Sequence, residues 1–290
     1  MNNTRQASLS LIAALMTFGT VGVFRRYIPL SSPLLAMLRG AIGTVFLLVL
    51  VRLKHQTLDR AAIRKNAPKL CLTGGCIGIN WILLFESYRY TSVATATLCY
   101  YMAPILVILA SPIVFRERLT VKKCLCAAAA FAGMILGSGA LDSGIGDLSE
   151  MKGVFLALSA AVLYASVMML NKRLQGIGAY DRTILQLGSA AIVLSPYVLL
   201  TEDWAAAEFS PLVILLVLIL GMVHTGWNYA LYFGAISRLP AQTVALFSYI
   251  DPIMAIFLSA TLLREGLTLA SAIGAVLVLG STLVSELTKN

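Results

Sequence analysis

Charged residues are scarce in this chain, and their scarcity decides its broad class. Asp, Glu, Lys and Arg make up 12% of its 290 residues, whereas 59% are hydrophobic and the mean hydropathy is +0.87. Soluble domains carry about 25% charged residues. The composition therefore excludes a protein with much soluble mass and predicts an integral membrane protein.

Histidine and cysteine are also few, which argues against several kinds of chemistry. The chain has two histidines, His55 and His224, and no H-E-x-x-H, G-x-S-x-G or Walker motif. Its five cysteines are an odd number within or beside apolar segments, so neither a disulfide framework nor a metal site is expected. The sequence predicts a protein that is not an enzyme and that needs no cofactor.

The 22 Lys and Arg residues outnumber the 13 Asp and Glu residues, but this balance does not indicate a nucleic-acid partner. The basic residues lie mostly in short links between apolar runs, and no DNA- or RNA-binding motif is present. Basic links of this kind mark the cytoplasmic ends of membrane spans. Most of them fall on one side if the N-terminus is cytoplasmic. We therefore expect both termini in the cytoplasm and a location in the cytoplasmic (inner) membrane.

Ten apolar segments match the roughly 17 to 25 residues that a membrane-spanning helix needs. They are predicted near Ser8–Phe24, Pro33–Val51, Leu70–Tyr88, Val93–Phe115, Cys124–Ala140, Gly153–Leu170, Thr183–Leu200, Pro211–Phe233, Ala241–Leu263 and Leu267–Val284. Because the links are short, consecutive helices should pack as antiparallel neighbours. The predicted fold class is an all-α integral membrane protein with ten transmembrane helices.

An internal repeat becomes visible when Pro104 is laid on Pro252. The stretch "NWILLFESYRYTSVATATLCYYMAPILVILASPIVFRERLT" then aligns without a gap on "NYALYFGAISRLPAQTVALFSYIDPIMAIFLSATLLREGLT". The identical pairs include Asn80 with Asn228 and the Tyr, Pro and Arg-Glu positions of both stretches. The stretches cover spans three to five and eight to ten, so each half of the chain has five spans.

An odd number of spans in each half has a topological consequence. The second half must enter the membrane upside down relative to the first, which predicts two inverted five-helix repeats, residues 1–145 and 146–290, in one integrated membrane domain. Inverted repeats are an architecture of secondary transporters, whose substrate site lies near the membrane midplane between the halves.

The repeated segments resemble a known family. Both halves have a proline in the middle of the fourth span, then "FRERLT" or "LREGLT", then a small-residue helix, "AAAAFAGMILG" or "SAIGAVLVLG". This pattern resembles the EamA-type repeat of the drug/metabolite transporter superfamily. "RYIPLSSPLLAMLRG" also looks like the family's first link and second span, with Arg39 in the place of its intramembrane arginine. The resemblance implies a ten-span transporter of amino acids, their analogues, amines or drugs.

Two ionisable residues are predicted in the outer third of the membrane. Arg39 lies about two turns inside span two, and Glu86 lies near the end of span three. One interpretation is a buried ion pair between them that fixes helix orientation. The other is functional, with Arg39 binding a substrate carboxylate or Glu86 taking a proton or an amine.

Two further ionisable residues are expected near the midplane. His224 lies in span eight and Asp251 in span nine, directly before Pro252. His224, Asn228 and Tyr232 share one helical face, which should point to the protein interior. The alternatives are a substrate or proton site and a static hydrogen-bonded pair of His224 with Asp251.

Aromatic and amide side chains complete the candidate substrate or coupling site. Asn80, Trp81, Tyr101 and Tyr249 are too deep to be interfacial anchors, so they either line a cavity or pack between helices. Pro104 and Pro252 are the predicted hinges, because each leaves a carbonyl without its helical hydrogen bond.

The sequence as a whole favours a secondary transporter over an enzyme or a channel. We expect export of amino acids or related amphipathic compounds by alternating access, with proton exchange as the simplest energy source. The alternative is a multidrug or lipophilic-cation exporter, for which acids and aromatics would suffice. The expected partners are a small-molecule substrate, protons and the lipid bilayer, without nucleic acid and with no particular oligomeric state predicted.

Overall fold

The structure is a computed structural model of an almost entirely helical chain. It describes residues 2–114, 116, 120–137, 148–172, 174, 176–236, 238–239, 247 and 250–287. No β-strand is present among these residues, as the sequence predicts for an all-α protein.

The helices follow one another through the whole described chain. They are α1 (Asn2–Gly19), α2 (Val21–Arg26), α3 (Ser32–Leu53), α4 (Arg60–Ser87), α5 (Val93–Tyr100), α6 (Ala103–Val114), α7 (Val121–Gly137), α8 (Leu148–Lys172), α9 (Ala179–Thr201), α10 (Pro211–Leu218), the π-helix π1 (Ile219–Trp227), α11 (Asn228–Ile236), α12 (Ile250–Thr261) and α13 (Leu269–Leu287).

Six helical stretches of the described chain are long and apolar enough to cross a membrane, so this is a multi-pass membrane protein. They are Arg5–Arg26, Ser32–Leu53, Arg60–Ser87, Val93–Val114, Leu148–Asn171 and Tyr180–Thr201. Four other apolar helices are shorter, namely Cys124–Leu136, Pro211–Trp227, Ile250–Thr261 and Leu269–Ser281. The predicted count of ten spans is therefore not confirmed.

Helix starts follow from local side-chain chemistry. Ser31, Asp59, Ser92 and Ser210 stand directly before α3, α4, α5 and α10, and each side chain accepts a hydrogen bond from a backbone N–H of the first turn. These bonds satisfy donors that have no partner inside a helix.

Three predicted spans are interrupted or distorted. The first breaks at Thr20, whose side chain donates to the carbonyl of Thr17. The fourth breaks at Tyr101, because Pro104 has no N–H for the carbonyl of Tyr100. The eighth passes through π1 between α10 and α11. Much of span nine, including residues 240–246 and 248–249, lies outside the described residues.

The two halves of the chain exchange contacts in a matching way. Helix α4 packs against α8 and α9, whereas π1 and α11 pack against α3 and α1. Each half thus places its third predicted span against the first two spans of the other half, and α7 packs on α13. Repeat-equivalent residues even share an unusual backbone, since φ is 57° at Arg116 and 54° at Arg264. Side chains near the middle of these helices lie where the halves meet.

Candidate functional site

Arg39 is buried between the two halves of the chain. Its Nε donates a hydrogen bond to Thr225 Oγ1 over 2.7 Å, and its guanidinium carbon lies 4.4 Å from the ring centroid of Trp81 and 5.7 Å from that of Phe85. Aromatic faces stabilise a cation at such distances. No carboxylate lies within 4 Å of this guanidinium in the part of the chain that the structure describes.

Glu86 does not pair with Arg39, so the ion-pair interpretation is wrong. Glu86 accepts hydrogen bonds from Ser32 Oγ at 2.7 Å and from Arg89 at 2.9 Å. Ser32 is two turns above Arg39 on the same face of α3, which separates them by about 10 Å along the axis. Glu86 therefore belongs to the end of the bundle and Arg39 to its middle.

The π-helix π1 presents the side chains that meet α3 and α2. Its wider turns let Thr225 Oγ1 donate to Leu220 O at 2.9 Å and bring His224 Nδ1 within 3.3 Å of Ile219 O. Helix α3 approaches π1 closely at Gly226, because glycine has no side chain there. A Cβ on Gly226 would lie 2.3 Å from the Phe46 ring. Single π-helical turns often occur at functional sites.

Asn228 faces α1, and His224 faces the break at Thr20 and the helix α2 that follows it. His224 Nε2 is 2.7 Å from Thr20 Oγ1, and its ring packs edge-on against Phe24 with centroids 4.5 Å apart. Asn228 Nδ2 donates to the carbonyl of Ala14 at 2.9 Å, while its buried Oδ1 has no hydrogen-bond partner in the described structure. The shared face of this helix was predicted, and α1 and α2 are its partners.

Asp251 is partly buried at the start of α12 and accepts a hydrogen bond of 2.5 Å from the Tyr101 hydroxyl. Tyr101 stands at the break between α5 and α6, so this bond joins the two halves. His224 is bonded to Thr20 instead, and the predicted His224–Asp251 pair is therefore wrong. The two residues remain neighbours through α1, because the carbonyl of Asp251 packs against Gly19.

Several tyrosines lie near Arg39 and Asp251. Tyr88 and Tyr229 lie within electrostatic range of both charged groups. Tyr100 stacks on Tyr164 with ring centroids 5.1 Å apart and meets Tyr101 edge-on at 6.2 Å. The site therefore holds a cation, a carboxyl group and several aromatic rings.

Asn80 ties this aromatic group to the other half. Its Nδ2 donates to the carbonyl of Ala160 at 2.5 Å, and its Oδ1 accepts from the Tyr100 hydroxyl at 3.3 Å. Asn228, its repeat equivalent, makes the corresponding bond to Ala14. Both amides thus link a third span to the first helix of the opposite half.

The remaining predicted residues have mixed outcomes. Tyr249 lies outside the described residues. Pro104 follows the break in span four, and Pro252 is buried in the first turn of α12. Trp227, the last residue of π1, is 48% exposed on the surface of the bundle.

Sequence reasoning missed Thr225 and Tyr229. Thr225 holds Arg39 but looks like an ordinary threonine in an apolar helix. Tyr229 could have been found from the repeat, because it aligns with Trp81, whose ring packs against Arg39.

One end of the bundle contains a cavity of about 600 Å³, and we call this end the cavity end. It lies where α2, α4 and α9 end and α3 begins. Its lining includes Arg25, Ser31, Tyr88, Arg89, Glu202 and Asp203. Tyr88 thus contacts the cavity and lies within electrostatic range of Arg39.

The two halves of the chain match one protein family separately. Residues 5–138 and residues 151–286 each match the EamA-like transporter family, which together covers most of the sequence. The chain belongs to the EamA-like transporter family. This confirms the family resemblance of the repeats, and membership indicates a transporter, a class that is typically not an enzyme.

Relatives of this EamA transporter carry similar names. The uncharacterized transporter YxxF of Bacillus subtilis (strain 168) is 29% identical over 254 residues, which cover 87% of this chain and 80% of the relative. The uncharacterized transporter YoaV of the same organism is 23% identical over 244 residues, 83% of this chain and 82% of the relative. One protein of known crystal structure superimposes with a TM-score of 0.70 at 20% identity, covering 97% of this chain and 96% of the other. That likeness concerns the fold alone.

Proposed function

We propose that this EamA transporter is a secondary transporter of amino acids or related amphipathic metabolites. The observation that carries the proposal is Arg39, a buried guanidinium that has Thr225 and aromatic rings around it but no carboxylate within 4 Å in the described structure. A buried cation without a partner is costly. A substrate carboxylate would offer the two acceptors that fit a guanidinium.

The other residues of the site suit a zwitterionic substrate with an apolar side chain. Asp251 accepts one hydrogen bond, from Tyr101, and its carboxylate can also receive a substrate ammonium group. The tyrosines near Asp251 and Arg39 offer surface to an apolar side chain. Arg39 would repel a lipophilic cation, so its place in the site disfavours the multidrug alternative.

Alternating access is supported by the position of this site. Arg39 and Asp251 belong to opposite halves, and the Tyr101–Asp251 bond would have to break if the halves separated on one side. We further propose that the cavity end faces outward, since most basic links lie at the other end. Transport would then be export across the cytoplasmic membrane in exchange for protons.

Flux measurements on purified protein in proteoliposomes test the substrate class. We expect uptake of apolar amino acids, with a loss of about 10- to 100-fold in the apparent affinity of Arg39→Gln, since a hydrogen bond to a charged group contributes about 1.5–3 kcal/mol. Arg39→Lys, which keeps the positive charge, should retain part of the affinity for the amino acid. Arg52→Gln is the matched control, because Arg52 is an exposed arginine of the same helix. Undiminished flux in Arg39→Gln, or transport of cations alone, would contradict the proposal.

Vesicles of opposite orientation test the direction. Respiration makes inside-out membrane vesicles acid inside and right-side-out vesicles alkaline inside, so respiring inside-out vesicles should accumulate the amino acid and respiring right-side-out vesicles should not. The reverse result would indicate import.

A further inference from the structure

Arg25 is a second buried cation, and it lines the cavity of about 600 Å³ at the cavity end. Its Nη1 donates to the carbonyl of Ile28 at 2.8 Å and its Nη2 to Ser32 Oγ at 3.1 Å. Its side chain is buried, with the whole residue 7% exposed, and its Nε has no hydrogen-bond partner in the described structure. The guanidinium therefore donates only to neutral acceptors, and its buried Nε–H donates to none among the described residues.

The acids nearby are already engaged. Glu86 reaches Arg25 only through Ser32 and forms its ion pair with Arg89. Glu202 accepts a hydrogen bond of 2.5 Å from Ser31 Oγ, and Asp203 accepts from the backbone N–H of Ala205. Arg25 is thus in the same condition as Arg39, a buried guanidinium without a carboxylate within 4 Å among the described residues.

The guanidinium of Arg25, a residue of α2, reaches the start of α3, the helix that carries Arg39. Arg25 bonds Ser32 at the start of this helix, and Arg39 lies two turns deeper on the same face, about 10 Å away. Tyr88 lines the cavity and is also within electrostatic range of Arg39. It is buried and hydrogen-bonded to Thr97. Tyr88 is therefore a residue of the cavity lining that also lies near the Arg39 site.

We propose that Arg25 and the surrounding cavity form a second binding site for the carboxylate group of the transported solute. The solute passes between this site and the Arg39 site when Tyr88 moves aside. Glu202 and Asp203 line the same cavity, so it accommodates a zwitterion better than a dianion. This inference rests on the proposed function, because it assumes an amino-acid substrate.

The three tryptophans of the chain permit a direct test. Trp81 contacts Arg39, Trp204 lies between cavity residues Asp203 and Ala206, and Trp227 is at the surface of the bundle. The pair Trp81→Phe with Trp227→Phe leaves Trp204 as the reporter of the cavity. The pair Trp204→Phe with Trp227→Phe leaves Trp81 as the reporter of the Arg39 site.

Each single-tryptophan protein would be titrated with L-leucine, L-phenylalanine and L-threonine and with the amide of each, which lacks the carboxylate. We expect a saturable fluorescence change at Trp204 with at least one amino acid and none with its amide. Arg25→Gln should weaken this response about tenfold or more and leave the Trp81 response in place. Arg60→Gln, at an exposed arginine outside the cavity, should change neither.

The possible outcomes separate the two proposals. A response at Trp81 with none at Trp204, or equal responses of Trp204 to acid and amide, would overturn the second site and leave the proposed function standing. No response at either reporter, together with no amino-acid flux, would overturn both. If Arg25→Gln does not fold, the responses of Trp204 to the amino acid and to its amide still test the second site, because this comparison needs no substitution at Arg25.

Discussion

Arg26 donates a hydrogen bond of 2.6 Å to the Glu265 carboxylate, and this ion pair joins the two halves at the cavity end. The same carboxylate accepts from the backbone N–H of Val93 at 2.8 Å and from Ser259 Oγ. Val93 is the first residue of α5, so Glu265 caps a helix of the other half. Glu265 therefore connects α2, α5 and α12 at this end of the bundle.

Removing the charge of Glu265 should loosen this junction. We expect Glu265→Gln to lower the free energy of unfolding by about 1.5–3 kcal/mol, the contribution of a hydrogen bond to a charged group. Thermal unfolding of the purified protein in detergent measures the change. Glu208→Gln is the matched control, because Glu208 is exposed in the loop before α10. Equal stability of the two variants would show that the ion pair contributes nothing.

Adjacent glycines of α4 offer a second comparison. A Cβ on Gly74 would lie 2.5 Å from Ser189 Cβ and 2.6 Å from the carbonyl oxygen of Gln186, whereas a Cβ on Gly75 would have its nearest neighbour at 3.7 Å. Gly74→Ala should therefore cost about 1–3 kcal/mol by overpacking against α9. Gly75→Ala should be neutral or stabilising by up to about 1 kcal/mol, since alanine favours helix. The same unfolding assay distinguishes them, and equal effects would contradict the packing.

Asp251 is the residue on which we expect proton coupling to depend. Asp251→Asn keeps the shape of the side chain but cannot lose or gain a proton at physiological pH. It should abolish the stimulation of flux by a pH gradient while downhill exchange of substrate continues. Tyr101→Phe, which removes the bonded hydroxyl and keeps the carboxyl, should retain the stimulation. Gradient-driven flux that survives in Asp251→Asn would assign coupling to another residue.

Pro104 should affect movement more than binding. With alanine at this position, an N–H becomes available to the Tyr100 carbonyl, and α5 and α6 can join into one helix. We expect Pro104→Ala to lower the maximal flux and to leave the substrate affinity unchanged. Pro112→Ala, inside α6 and away from the break, is the control. A change in affinity with normal maximal flux would place Pro104 in the binding site instead.

Much of the architecture could be predicted because it depends on residue pattern. The lengths of the apolar segments predicted membrane helices. The alignment of Pro104 with Pro252 predicted that the two halves are repeats. The structure shows this repeat in the matching hydrogen bonds of Asn80 and Asn228 and in the positive φ angles of Arg116 and Arg264. Family membership followed from the same repeated segments.

The partners of the polar residues could not be predicted in this way. Depth along a helix placed Arg39 near Glu86 and His224 near Asp251, but depth does not say which way a side chain points. The break at Thr20, the π-helix before Asn228 and the close packing of glycines rotate these helices relative to each other. Arg39 consequently meets Thr225 and Trp81, and Asp251 meets Tyr101.

The sequence by itself therefore determined that this protein is a two-repeat membrane transporter and which polar residues its apolar helices contain. Only the tertiary structure decided which of them meet, because contacts between helices depend on rotation and close approach. Arg25 illustrates the difference. In the sequence it is one of many basic residues in a link, and in the folded protein it is buried beside a cavity with a donor that lacks an acceptor among the described residues.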